Sequence, residues 1–115
     1  MPDETPEVTE YELRAVVRAS GSLGQYAAER VRQVMMSCLA KGDRQLVLDM
    51  KAVPYINTEG LRMLQELLHQ AEIRDATLSL ANANSRVLRT LALTHMDQRL
   101  SIYSSVEEAL SSRAS

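Results

Sequence analysis

The spacing of apolar residues along this chain changes several times, and each change marks an element. The first seven residues, with acids and prolines and no apolar repeat, read as a disordered tail. From Tyr11 to Ala19 the run Tyr-Glu-Leu-Arg-Ala-Val-Val-Arg-Ala alternates in part, as a half-buried strand does. Ser20-Gly21-Ser22-Leu23-Gly24 breaks it. Ala27, Val31, Val34 or Met35, and Cys38 then return to one face at helical spacing. Lys41-Gly42-Asp43 closes that helix, with a cation in the last turn and a glycine just beyond.

Leu46-Val47-Leu48-Asp49-Met50 is nearly continuous and apolar, which suits a central strand buried on both faces. Pro54 marks a loop, and Asn57-Thr58 precede a second helix whose core face is Leu61, Leu64, Leu67 or Leu68, and Ala71. Thr77 to Ala81 is a further strand, and Asn84 or Ser85 caps a helix bearing Val87, Leu88 and Leu91. Leu100-Ser101-Ile102-Tyr103 is a last short strand, and Ser104 with Glu107 has capping-box spacing ahead of Ala109 and Leu110. Helices alternate with strands from Leu23 onward, so the fold class is α/β, one sheet with helices packed on it.

Composition narrows the function more than the fold. The 115 residues allow one domain. Apolar residues make up 45%, but there is no Phe or Trp and only four Tyr, too few to build a stacking surface for single-stranded nucleic acid. A net charge of -2, with scattered Lys and Arg, draws in neither DNA nor an anionic membrane. The lone Cys38 excludes an intramolecular disulfide. Without a signal-peptide pattern or a membrane-spanning apolar run, the expected location is cytoplasmic.

The run Leu46 to Met50, followed by Val53-Pro54-Tyr55-Ile56-Asn57-Thr58-Glu59-Gly60-Leu61, resembles the signature of the STAS domain. Ser20-Gly21-Ser22-Leu23 and the closing Val106-Glu107-Glu108-Ala109-Leu110 fit the same pattern, in order, over Val8 to Leu110. The resemblance implies a single STAS domain over residues 8–112, a mixed sheet with helices packed on it, and tails at 1–7 and 113–115. By layout the chain is most similar to bacterial anti-sigma factor antagonists. In that group a residue at the place of Thr58 is phosphorylated by a partner that is both kinase and anti-sigma factor. The implied partners are an anti-sigma factor/serine-threonine kinase of GHKL type and a PP2C-type phosphatase that resets the switch; a homodimer stays open. No nucleic acid, membrane insertion or cofactor is implied. The implied contact patch is Leu23, Gly24, Tyr55, Asn57, Thr58, Glu59, Gly60 and Arg62. This chain departs from the family at two places: Asn57 stands where an Asp precedes the acceptor, and Gly21-Ser22-Leu23-Gly24 replaces a loop that carries two acids. The alternative within the same family is an unphosphorylated assembly subunit of a signalling scaffold or lipid-transport complex.

The residues themselves bear on these readings. A hydroxyl at a helix start caps an open N–H, worth about 1 kcal/mol, and that is the plain role for Thr58. A phosphate there would sit at the positive end of the helix dipole and leave the fold intact while changing the surface charge. Gly60 in a first helical turn costs about 0.5–1 kcal/mol relative to Ala, so it answers to close packing, either by a loop of its own domain or by a partner's backbone. Asp49 at a strand end superficially resembles a receiver phosphoacceptor, but no acid pair follows the first strand to hold magnesium, so it is expected as a strand-end or turn residue. The glycine loop has no following Lys-Ser/Thr and cradles no phosphate. His69 and His95 lack metal-pair spacing, and Cys38 falls on an apolar helix face. No nucleophile, base and orienting group come together, so the chain is expected to bind rather than catalyse.

Overall fold

The computed structural model describes residues 5–112. Five strands lie in the order of the sequence: β1 (Glu7–Tyr11), β2 (Arg14–Ser20), β3 (Gln45–Ala52), β4 (Thr77–Ala81) and β5 (Ser101–Tyr103). β1 runs antiparallel to β2, and every later pair is parallel, so the sheet is mixed. The crossovers are α1 (Gln25–Lys41), α2 (Thr58–Ile73) and α3 (Ser85–Leu93), followed by a single 3-10 turn at Met96–Gln98, and α4 (Val106–Ser111) closes the chain.

This order explains the layering. Each parallel connection steps one strand in the same direction, and right-handed crossovers that all step one way place their helices on one face. That face holds the main core: Ala15 and Val17 of β2, Leu46, Leu48 and Met50 of β3, and Leu78 and Leu80 of β4. They meet Val31, Met35, Leu64, Leu67, Val87 and Leu91 from the three helices. Among the described residues only the short α4 covers the opposite face, where Ala109 packs on Val16, Val47 and Ala81. As expected, β3 is interior, Leu64 and Leu68 are buried, and Leu61 packs at the core margin. Gly42 closes α1 in the left-handed conformation, its N–H donating to the Cys38 and Leu39 carbonyls.

Four expectations shift. The single strand read from Tyr11 to Ala19 is the end of β1, a turn at Glu12-Leu13, and β2. Leu13 makes that turn with φ 61°, with no glycine to announce it. Glu7 belongs to β1 and not to a tail; residues 1–4 and 113–115 of the expected tails lie outside the described residues. The cap of α4 is Ser105, not Ser104: its Oγ accepts from Glu108 N at 3.0 Å, and Glu108 Oε1 accepts from Ser104 N at 3.0 Å. Asp49 is neither a strand end nor a turn residue, because β3 continues to Ala52. It lies buried on the α4 face, accepting from Lys51 N and Asn82 Nδ2, each at 3.0 Å, with Arg18 at 3.7 Å.

Candidate functional site

The carboxyl ends of β2 and β3 feed two loops that run side by side. Leu23 and Ile56 form an isolated parallel bridge, with Leu23 N donating to Tyr55 O at 3.2 Å and Asn57 N to Leu23 O at 3.4 Å. Leu23 and Ile56 are both buried, so this bridge anchors the entry to α2 in the core. The chain then leaves the bridge at Asn57, in extended conformation, and turns into the helix.

Asn57, not Thr58, is the cap. Its Oδ1 accepts from Glu59 N at 3.0 Å and Gly60 N at 3.3 Å, and its carbonyl takes the first helical bond from Leu61 N. A cap residue needs extended backbone so that its side chain can reach back to the open N–H groups. Thr58 already has helical backbone, so its side chain points away from them and stays exposed. The capping role expected of its hydroxyl is therefore corrected. Asn57 satisfies two of the four open donors, and the helix N-terminus beneath Thr58 retains its positive character.

Gly60 resolves in favour of packing by its own domain. A Cβ there would stand 2.5 Å from Ile56 Cγ1 and 2.6 Å from the Leu23 carbonyl oxygen. The bridged loop can approach the helix only because that position has no side chain. Gly60 and Leu23 are both buried, so neither presents a side chain to a partner; they set the shape of the patch from below. This removes both from the expected contact surface.

The remaining expected residues do come together at the surface. Tyr55, Asn57, Thr58, Glu59 and Arg62 are exposed, and Gly24, the cap of α1, is partly so. Arg62 reaches Glu59 at 3.8 Å, and Arg86 of α3 lies over the Tyr55 ring at 4.9 Å. The sequence reading missed two neighbours. Tyr26, in the first turn of α1, is 80% exposed, and a shallow groove of about 360 Å³ runs between α1 and α2 past Glu29, Arg32, Glu59, Arg62 and Glu66. Arg32 binds Glu29 at 2.8 Å and approaches Glu66 at 3.8 Å, and its hydrogen bond holds the Glu29 carboxyl below its usual range. The Glu29–Arg32 spacing on an outward helix face was the available signal. His69 and His95 are exposed and separate from this patch. A larger cleft, about 910 Å³, lies on the α4 face around Arg18, Asp49, Lys51 and Asn82 and shares no lining residue with the patch.

The family description that matches the chain, over residues 5–109, is the STAS domain. An anti-sigma factor antagonist from Mycobacterium paratuberculosis superposes with a TM-score of 0.81 at 23% identity, over 92% of this chain and 90% of that one. The phosphorylated form of the Bacillus cell fate determinant SpoIIAA gives 0.72 at 14% identity, over 91% and 96%. The STAS domain of a SulP transporter from Vibrio cholerae gives 0.73 at 28% identity, over 90% and 82%. Among the described residues no helix is long and apolar enough to cross a membrane.

Proposed function

Because this chain belongs to the STAS domain family, we propose that it is a partner-switching regulator of the anti-sigma factor antagonist kind, controlled by phosphorylation at Thr58. The observation that carries the reading is the division of labour at the start of α2. Asn57 holds the helix, which leaves the adjacent Thr58 hydroxyl exposed on a helix N-terminus with no fold-holding bond to lose. Such a hydroxyl is open to a kinase, and the phosphate it gains is tolerated by the dipole beneath it.

The partner in this reading is an anti-sigma factor that is also a GHKL-type kinase. Its surface meets Tyr55, Asn57, Thr58, Glu59 and Arg62, with Gly24 at the margin. Transfer forms a bond from Thr58 Oγ1 to the terminal phosphorus of ATP held by the kinase; the bond to ADP breaks, and the hydroxyl proton passes to the kinase. The product carries close to two further negative charges beside Glu59. In a desolvated contact those charges meet repulsion and lose hydration, so binding weakens while the domain stays folded. A PP2C-type phosphatase restores the hydroxyl by hydrolysis. The chain acts here as substrate and ligand, with no catalysis of its own, in the cytoplasm.

The test uses a GHKL-type kinase that binds this domain. Incubated with it and ATP, the domain should gain one phosphate, placed on Thr58 by peptide mass spectrometry, and the phosphorylated form should elute from a complex that the unmodified form keeps. A kinase that binds the domain tightly and never modifies Thr58 would overturn the switch. It would favour a constitutive assembly subunit, a reading supported by the likeness to the transporter's STAS domain.

A further inference from the structure

At the opposite end of the sheet, three segments bring together groups that the partner patch does not use. Glu10 on β1 pairs with Ala15 across the hairpin, and Ala15 belongs to the core beneath α1, so Glu10 lies on the face that α1 covers. Cys38 occupies the last turns of α1, and Asp43 follows its closing glycine. One ligand atom from each of the three lies within 4.8 Å of the other two, with Cys38 Sγ 3.9 Å from Glu10 Oε2.

The cluster is costly as it stands. Cys38 is 2% exposed and Asp43 7% exposed, and Asp43 Oδ2 is buried with no hydrogen-bond partner among the described residues. A buried carboxylate oxygen without a partner gives up its hydration with no hydrogen bond in return. Burial, then the Glu10 carboxylate, pushes the Asp43 carboxyl above its ordinary range, and the same two causes push the Cys38 thiol up to about 11. Among the described residues the cation in contact with the cluster is Lys41, whose ammonium meets Glu10 Oε2 on a half-exposed side chain. A buried thiol and a buried carboxyl beside an exposed carboxylate, with one ammonium at the rim, leave the buried acid without a charge partner. A divalent cation supplies one.

We propose that Glu10, Cys38 and Asp43 form a site for a thiophilic divalent cation, Zn²⁺ by chemistry, that clasps β1 to the end of α1. One sulfur and two oxygens suit zinc in a tetrahedral arrangement with water as the fourth ligand. Tetrahedral bonds of about 2.3 Å to sulfur and about 2.0 Å to oxygen place the ligand atoms about 3.3–3.5 Å apart, so metal binding draws the three groups together by up to about 1.5 Å from their present separations. Binding displaces the thiol proton to solvent, and Lys41 swings off Glu10 into water. The role is structural: the clasp ties the edge strand to the helix whose other end borders the partner patch.

The test uses the full chain freed of metal, with Cd²⁺ as a spectroscopic probe and Zn²⁺ for affinity and melting. The wild type should show a thiolate-to-cadmium ultraviolet band that saturates at one equivalent, and its melting midpoint should rise in Zn²⁺. Cys38→Ser should lose the band. Glu10→Gln, at an exposed position where folding is secure, should weaken Zn²⁺ by about ten- to a hundredfold, the range found even for outer-shell changes. Lys41→Gln should tighten binding by freeing Glu10. No band in the wild type overturns the site, and so does a band indifferent to Glu10→Gln, which would mark cysteine binding metal alone. Asp43→Asn should lose the rise in melting midpoint that Zn²⁺ gives the wild type; an Asp43→Asn protein that gains as much from Zn²⁺ as the wild type would show that Asp43 is no ligand, and would also overturn it.

Discussion

Two helices on the same face of the sheet begin at an asparagine, and the two caps are committed differently. Asn84 accepts from Val87 N at 2.8 Å through Oδ1, and its Nδ2 donates to the carbonyls of Val53 and Pro54 at 3.3 and 3.0 Å. It therefore ties α3 to the loop between β3 and α2. Asn57 uses Oδ1 in the same way, on Glu59 and Gly60, but its side-chain bonds stay within its own helix. What makes the start of α2 distinctive is its surroundings: a buried bridge behind it and an exposed hydroxyl in front. A cap is a folding device in both places; function depends on what the cap leaves free.

The largest effect tests what lies behind α2. Gly60→Ala gains up to about 1 kcal/mol in helix propensity, but its methyl meets the Leu23 carbonyl, which is backbone and cannot turn aside. Overpacking of this kind costs about 1–3 kcal/mol, so a net loss of stability should appear in urea unfolding. Gly60→Arg should fail to fold. A Gly60→Arg protein that melts like the wild type would mean the bridge is loose, and the contrast between the two helix starts would weaken.

Next comes the committed cap. Asn84→Ala forfeits the bond to Val87 and both bonds to the 53–54 loop, a loss of about 2 kcal/mol. Asn84→Asp keeps the cap but not the donor, so it should recover roughly half. Asn57→Ala removes only the cap and should cost about 1 kcal/mol. Equal losses at 57 and 84 in parallel denaturation curves would erase the distinction. Asn57→Asp retains the acceptor and places a carboxylate at a positive helix end, which should stabilise by about 0.3–1 kcal/mol at low salt and fade as salt is added.

How far the sequence discloses these features depends on whether the causes are local. Strand β3 and the core faces of α1 and α2 were legible because burial imposes a period on neighbouring residues. Strand β1 was not: Glu-Val-Thr-Glu-Tyr is an edge strand with little burial on either face, and its turn rests on a positive φ at Leu13 that no residue type announces. Both cap errors were slips of one residue. Asn57-Thr58 and Ser104-Ser105 each offer two adjacent capping side chains, and the choice is made by the incoming backbone, which composition does not encode. Leu23 and Gly60 were assigned to the surface because their role is to face each other, a contact across 37 residues. Asp49 with Arg18 and Asn82, and Cys38 with Glu10 and Asp43, are likewise products of topology. Tyr55, Asn57, Thr58, Glu59 and Arg62 were singled out by the resemblance, and they share one exposed surface because they are close in sequence at one helix start.

The smallest effect on stability belongs to the residue on which the proposed function turns. Thr58 is exposed in the first turn of α2 and supplies neither cap bond, so Thr58→Ala removes no contact that holds the fold. Alanine is the better helix former by about 0.5 kcal/mol, which should leave the melting curve unchanged or slightly raised. The same substitution should remove all phosphate transfer by the kinase and leave the domain bound to it. Thr58→Glu should also fold normally, since its charge lies at a positive helix end. It should release the kinase only in part, because one carboxylate carries less charge than a phosphate and Glu59 already contributes repulsion to the unmodified form. A null effect on stability joined to a complete effect on modification would set α2 apart from α3, whose cap residue also holds the 53–54 loop. If Thr58→Ala instead costs as much as Asn57→Ala, the hydroxyl is part of the cap after all, and its freedom to carry a phosphate is lost with the distinction.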